Sequence, residues 1–312
     1  MSIIEQAAKR LEELNRAGVG VSLAPGEAAP GAVHQEIPTP ARPVPVRVAR
    51  VAGAPPARLA AAQPQAEEDA ARVDVVLDLA RLEREGHLVP TATRSQLAEE
   101  LRTIKRPLLK NARSKESAAN KLSLIMVTSA LPGEGKTFFA INLAMSIATE
   151  IDLSVLLIDA DVVRRDAMAR LGVDVEAGLI DLLTDPTRAL DDLVLRTNMP
   201  KLSVLPAGPR HDLSTELLAS GAMDDLMCRL ASEYPRQIVV FDAPPLLLTS
   251  QAKVLASRVG QVVVVVEAAR TERSAVAQAF AVVEQCPIVL SVLNKASPRA
   301  SGGDYGYGYG YY

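Results

Sequence analysis

Tryptophan is absent from this chain, and aromatic residues make up only 3% of it. A surface that stacks single-stranded nucleic acid on aromatic rings therefore has little to build with. Cysteine is equally scarce. Cys228 and Cys286 stand apart with no CxxC or Cys/His ligand spacing, which excludes a disulfide framework and a structural zinc site. They are expected to be small buried apolar residues in a reducing cytosol. The histidines His34, His87 and His211 are isolated and suggest no shared chemistry. No apolar run approaches the roughly 18 to 20 residues that cross a bilayer, and the amino-terminal stretch has no apolar signal region. The expectation is a soluble protein that reaches any membrane through a partner. A net charge of −3 supplies no global attraction to nucleic acid or anionic lipid.

What is present is 48% hydrophobic residues in 312, enough for one large α/β domain with appendages. Residues 1–18 read as an amphipathic helix: Ser2 and Glu5 form a capping box, and Ile3, Ile4, Ala7, Leu11 and Leu14 share a face. Its polar side mixes Glu5, Glu12 and Glu13 with Lys9, Arg10 and Arg16, which suits a protein groove better than lipid. Residues 19–72 are rich in Pro, Ala and Gly and read as a disordered, semi-extended linker. The main domain is expected over 73–300. Residues 301–312 form a tail in which glycines separate Tyr305, Tyr307, Tyr309, Tyr311 and Tyr312, so these rings are displayed rather than packed.

Within the domain, a helix is expected over Ser95–Asn111. Glu99, Arg102 and Lys105 fall on it at three-residue steps and are read as one polar side available to a protein partner. Beyond Leu122 the pattern repeats strand, loop and helix. The runs Leu124–Thr128, Val155–Ile158, Leu202–Leu205, Ile238–Phe241, Val262–Val266 and Ile288–Leu293 are nearly continuous in Val, Ile and Leu, as in strands covered on both faces. Helices are expected over Thr137–Thr149, Thr215–Glu233 and Arg273–Gln285. Such alternation predicts an α/β fold, a mostly parallel sheet with helices on both faces.

The stretch from Thr128 to Thr137, Thr-Ser-Ala-Leu-Pro-Gly-Glu-Gly-Lys-Thr, follows the first strand and opens a helix, the setting of a P-loop. Ala130 stands where that pattern has its first glycine. Backbone N–H groups from Gly133 to Thr137 would surround a β-phosphate. Lys136 would add a cation, and the Thr137 hydroxyl could ligate Mg2+. The nucleotide-binding set is thus Ala130, Pro132, Gly133, Glu134, Gly135, Lys136, Thr137 and Phe138. Two further strands run into acids, Asp159-Ala-Asp161 and Asp242-Ala-Pro-Pro245. In a parallel sheet these should converge on the P-loop at the strands' carboxyl ends. Thr137, Asp159 and Asp242 are the candidate Mg2+ ligands. Asp159 or Asp161 is the candidate base for an acceptor phenol, whose pKa is ordinarily near 10. Asn294, at the end of the last strand, could read a nucleobase or simply close a turn.

This combination resembles the bacterial tyrosine kinases of polysaccharide export and assembly. The Met-Ser-Ile-Ile-Glu start, the Pro-rich linker and the Glu99–Arg106 stretch before Pro107-Leu-Leu are most similar to the exosortase-associated tyrosine autokinases, which lack a membrane segment of their own. The resemblance implies a P-loop NTPase fold, ATP and Mg2+ as cofactors, and autophosphorylation of the five tail tyrosines. It implies Ala130–Thr137 as the first Walker motif, Asp159 and Asp161 as the second, and Asp242 as the third, with Lys136 and the three acids carrying catalysis. A Glu-x-x-Arg-x-x-Arg oligomerisation motif falls on Glu99, Arg102 and Lys105, lysine replacing the last arginine and lacking its planar fork. Val163 stands where the family has an arginine after the second acid; Arg164 or Arg165 fills that role. Further implied are a homo-oligomer, a separate membrane-embedded polysaccharide chain-length activator, a cognate tyrosine phosphatase, no nucleic acid, and a cytoplasmic location at the inner membrane through the partner.

Two rivals share the fold. A partition-type ATPase would carry an extra lysine early in the loop, where Leu131 stands, and would leave the tyrosine tail unexplained. A nucleotide-bound scaffold would use the tail only for docking.

Overall fold

The computed structural model describes residues 73–91, 95–234 and 236–296. The expected amino-terminal helix, the linker and the tyrosine tail lie outside them. The elements that follow one another are helices α1 (Leu79–Arg84), α2 (Gln96–Ala112) and α3 (Ser117–Asn120), strand β1 (Leu124–Ser129) and helix α4 (Lys136–Ala148). Strand β2 (Ser154–Asp159) leads to helices α5 (Asp166–Leu171), α6 (Leu179–Thr184) and α7 (Leu190–Leu193), then to β3 (Leu195–Arg196) and β4 (Leu202–Leu205). Helices α8 (Ser214–Leu218) and α9 (Gly221–Ser232) precede β5 (Gln237–Asp242), and α10 (Ser250–Ala256), β6 (Gln261–Glu267), α11 (Arg273–Val282) and β7 (Ile288–Asn294) complete the series.

All six predicted strands form, in a sheet ordered β3-β4-β2-β5-β1-β6-β7. Its neighbours run parallel except β3 against β4. Alternation along each central strand divides the core. Ile125, Val127, Val155, Leu157, Val240 and Val263 face the layer containing α2 and α4. Leu124, Met126, Leu156, Ile158, Phe241 and Val264 face the layer containing α9 and α10. A side-chain period of two on strands buried on both sides explains why the runs show no polar alternation.

The two-residue β3 was not foreseen, since so short a pairing leaves no periodic trace. Its edge is covered by the chain entering the domain: Asp74 N–H and Val75 N–H donate to Arg196 O at 2.9 and 3.1 Å. Asn198 exchanges hydrogen bonds with the Leu77 backbone, at 2.9 and 3.1 Å. The helix expected over Thr215–Glu233 is instead two. It breaks at Ala219 and Ser220, where the Ser220 side chain caps α9 by accepting from Met223 N–H. Cys286 is buried as expected, whereas Cys228 is exposed, on the solvent side of α9.

Helix α2 starts at Ser95, whose hydroxyl accepts from Ala98 N–H. It packs through Ala98, Leu101, Leu108 and Leu109. Its end is tied to the sheet by the buried Gln261 amide, which donates to Leu108 O and Leu122 O and accepts from Asn111 Nδ2 at 2.9 Å. Among the described residues no helix is long and apolar enough to cross a membrane.

Candidate active site

Strand order and register build the site. β2, β5 and β1 are adjacent, with Asp159 in register with Asp242 and Asp242 with Val127. Two carboxylates therefore stand side by side at the carboxyl edge of the sheet, where the chain leaves β1 for the P-loop. Backbone bonds bring the loops together: Ala160 N–H donates to Asp242 O at 2.9 Å and Leu246 N–H to Ser129 O at 2.8 Å. The Thr128 hydroxyl donates to Pro244 O at 2.7 Å, fixing the Asp-Ala-Pro-Pro turn against the start of the P-loop.

The loop has the backbone its glycines predict. Gly133 and Gly135 have φ of +85° and +98°, and α4 begins directly at Lys136. Ala130 is buried and is not among the residues at positive φ, so its replacement of the pattern's first glycine strains nothing.

Lys136, Asp161, Asp242, Thr137 and Asp159 converge as predicted. The Lys136 ammonium is 2.9 Å from Asp161 Oδ2, 4.0 Å from Asp242 Oδ1 and 3.3 Å from the Thr137 hydroxyl. Burial, with the carboxylates of Asp242 and Asp161 nearby, pushes the Asp159 carboxyl up to about 8. Burial also raises Asp242, to about 6, and the neighbouring Lys136 charge opposes it. Asp159 Oδ2 and both Asp242 carboxylate oxygens are buried without a hydrogen-bond partner. Orphaned acceptors of this kind are costly unless something binds them. Hard anionic oxygens beside a threonine hydroxyl fit Mg2+, which takes one or two carboxylates and keeps its waters. Among the described residues no three His, Cys, Asp or Glu side chains form a metal cage of their own.

Arg164 and Arg165 share one cavity and differ in a second. Arg164 lines a cavity of about 170 Å³ with Gly133, Gly135, Lys136, Thr137 and Phe138. The Arg165 guanidinium donates to Gly208 O at 3.1 Å. Arg164 and Arg165 both border a larger cavity of about 580 Å³ that Asp159, Met168, Glu176 and Pro206 help line.

Several contacts around the loop were not legible in its motif. Glu134 is buried: its carboxylate accepts from Leu131 N–H at 2.6 Å, from the Thr271 hydroxyl, and from Glu267 N–H at 3.4 Å. Asn294 donates to Glu134 O at 2.8 Å and accepts from Lys295 N–H at 2.9 Å, so its amide is engaged with the loop and the turn. Lys295 donates to Gly133 O at 2.7 Å and pairs with Glu267 at 3.1 Å. His87, given no role from sequence, is buried against the Phe138 ring and bonded to Asn142.

On α2 the expected alignment fails. Glu99 and Arg102 pair with each other at the surface, but Lys105 is only 4% exposed. Its ammonium reaches Ser146 O at 2.6 Å, Thr149 Oγ1 at 3.3 Å and Glu150 Oε1 at 2.7 Å, at the carboxyl end of α4. Three-residue steps drift around a helix of 3.6 residues per turn. The spacing of Lys105 from Ala98, Leu101 and Leu108 already put it on the buried stripe.

No family model matches the chain. It is 30% identical over 192 residues to tyrosine-protein kinase YwqD of Bacillus subtilis, covering 61% of this chain and 79% of that protein. It is 32% identical over 190 residues to EpsB of Ralstonia solanacearum, covering 60% of this chain but only 24% of that longer protein. The kinase domain of the Escherichia coli tyrosine kinase ETK superposes with a TM-score of 0.56 at 25% identity, covering 77% of this chain and 97% of that domain.

Proposed function

This chain belongs to the bacterial tyrosine-protein kinases, and on that premise we propose that it transfers the γ-phosphoryl group of ATP to its own tail tyrosines, between subunits of a homo-oligomer. The observation that carries the site assignment is the convergence of Lys136 with Asp159, Asp161 and Asp242 beside the glycine loop.

Each group has a part. The N–H groups from Gly133 to Thr137 receive the β-phosphate, and Ala130, Pro132 and Glu134 shape the loop around them. Lys136 exchanges its bond to Asp161 for the phosphate oxygens, a short movement for a flexible side chain. Arg164 adds a second cation to the lining of the cavity beside the loop. Thr137, Asp242 and whichever acid of the Asp159/Asp161 pair is not the base would hold Mg2+. When bound, that ion neutralises charge on the phosphates and orients them.

The acceptor phenol loses its proton as its oxygen bonds to phosphorus and ADP departs. Asp159 is favoured as the base because it lines the larger cavity, where an acceptor has room to approach. Asp161 is held by Lys136 and by Arg164 N–H at 3.1 Å. Tyr305, Tyr307, Tyr309, Tyr311 and Tyr312 are the acceptors, and residues 301–312 are the tail that delivers them. The 73–300 stretch is the kinase domain, joined by the 19–72 linker to a docking helix at 1–18. Control of exopolysaccharide assembly through a membrane-embedded activator and a phosphatase, from the cytoplasmic side, rests on the sequence resemblance.

Incubating the full chain with ATP and Mg2+ and mapping phosphate by mass spectrometry tests the assignment. Phosphotyrosine in the tail is expected. Hydrolysis without it would return the chain to the partition-type reading, and neither activity would leave a scaffold.

A further inference from the structure

Asn294 and Lys295 grip the backbone of the phosphate loop from the end of β7, 160 residues away in sequence. We propose that both are positioning residues: by holding the carbonyl oxygens of Glu134 and Gly133 they turn the N–H groups of Gly135 and Glu134 toward the phosphates. The inference rests on the nucleotide-site reading and assigns these side chains a task other than recognition of the base.

In a trans peptide the C=O and the following N–H point in opposite directions. Lys295 Nζ is 2.7 Å from Gly133 O, which fixes the direction of the Glu134 N–H. Asn294 Nδ2 is 2.8 Å from Glu134 O, which fixes the Gly135 N–H. Alternation with the positive φ of Gly133 and Gly135 makes the concave set of donors that anions occupy. Glycine peptides are otherwise free to rotate, and ordering them on binding would cost affinity. Two side-chain hydrogen bonds supply that order beforehand.

The holders are themselves fixed. The Asn294 carboxamide is oriented by its bond from Lys295 N–H, and the Lys295 ammonium is shared with Glu267 at 3.1 Å. A Cβ at position 135 would meet the Asn294 carboxamide and displace it from the loop, while the positive φ is what favours glycine there. A side chain pressed on the loop in this way is spent on the loop rather than directed to a purine.

ADP carries the β-phosphate that the loop surrounds and AMP does not, so the pair separates loop order from base recognition. With the full chain and Mg2+, calorimetry should show Asn294→Ala and Lys295→Met each weakening ADP by roughly three- to tenfold, the effect of one hydrogen bond, while AMP changes less than about twofold. Lys295→Arg, which retains a donor, should recover most of the ADP affinity. Equal losses for ADP and AMP in Asn294→Ala, or ADP affinity unchanged in both variants, would overturn the proposal. Lys295 is half-exposed, so its variant tests the idea even where Asn294→Ala lowers the melting temperature. A wild-type chain that binds no ADP would overturn the nucleotide site itself, a separate result.

Discussion

Lys136 and Asp161 form a buried ion pair, Nζ to Oδ2 at 2.9 Å with both side chains less than a tenth exposed. A lysine whose only contact were ligand phosphate could be removed without loss of stability; this one also neutralises its own site. Lys136→Met is therefore expected to abolish tail phosphorylation and to destabilise the domain by roughly 3 kcal/mol, the scale for breaking a buried pair. Phosphate mapping and urea unfolding measure the two effects. Tail labelling at the wild-type rate would remove Lys136 from the mechanism.

The Asp159 carboxyl is raised to about 8 from an ordinary 3.8. The folded state therefore binds a proton that the unfolded chain has released. That contribution is fully present below about pH 4 and is lost as pH rises through about 8, at up to about 1.4 kcal/mol per pH unit. Unfolding free energy of the wild type should fall between pH 5 and pH 8, and Asp159→Asn should flatten the slope. A slope unchanged in that variant would show that Asp159 titrates normally.

Glu99 and Arg102 lie at the surface of α2, while Lys105 binds the end of α4. Reversing both surface charges should shift the mass seen by light scattering toward monomer if this face joins subunits. Lys105→Met should leave the mass unchanged and cost roughly 2 kcal/mol, since charged hydrogen bonds are lost. A lower mass in Lys105→Met with undiminished stability would restore it to the interface.

Transfer between molecules is expected because only residues 295 to 304 separate the end of β7 from Tyr305, and five acceptors must reach one site. A Lys136→Met chain mixed with a chain whose five tail tyrosines are Phe should become labelled on the Lys136→Met tail. An unlabelled mixture, with wild type labelling at a concentration-independent rate per molecule, means transfer within one molecule. Successive phosphates, each about −1.5 to −2 in charge, should also loosen the oligomer by repulsion.

Sequence alone determined whatever is written over short distances: Val/Ile/Leu runs long enough to be buried strands, a glycine loop between a strand and a helix, and acids directly after two strands. These depend on side-chain period and backbone freedom, which are local properties. Tertiary structure decided the rest. Asp159 and Asp242, 83 positions apart, become neighbours only because β2 pairs with β5. Their raised pKa values follow from that proximity and from burial. The hold of Asn294 and Lys295 on the loop depends on β7 ending beside β6, and two-residue β3 exists only because β4 offers it an edge. The direction of Lys105 is intermediate. Its helical spacing placed it on the buried stripe, but only the packed end of α4 supplied the carbonyl, hydroxyl and carboxylate that let a charge remain there.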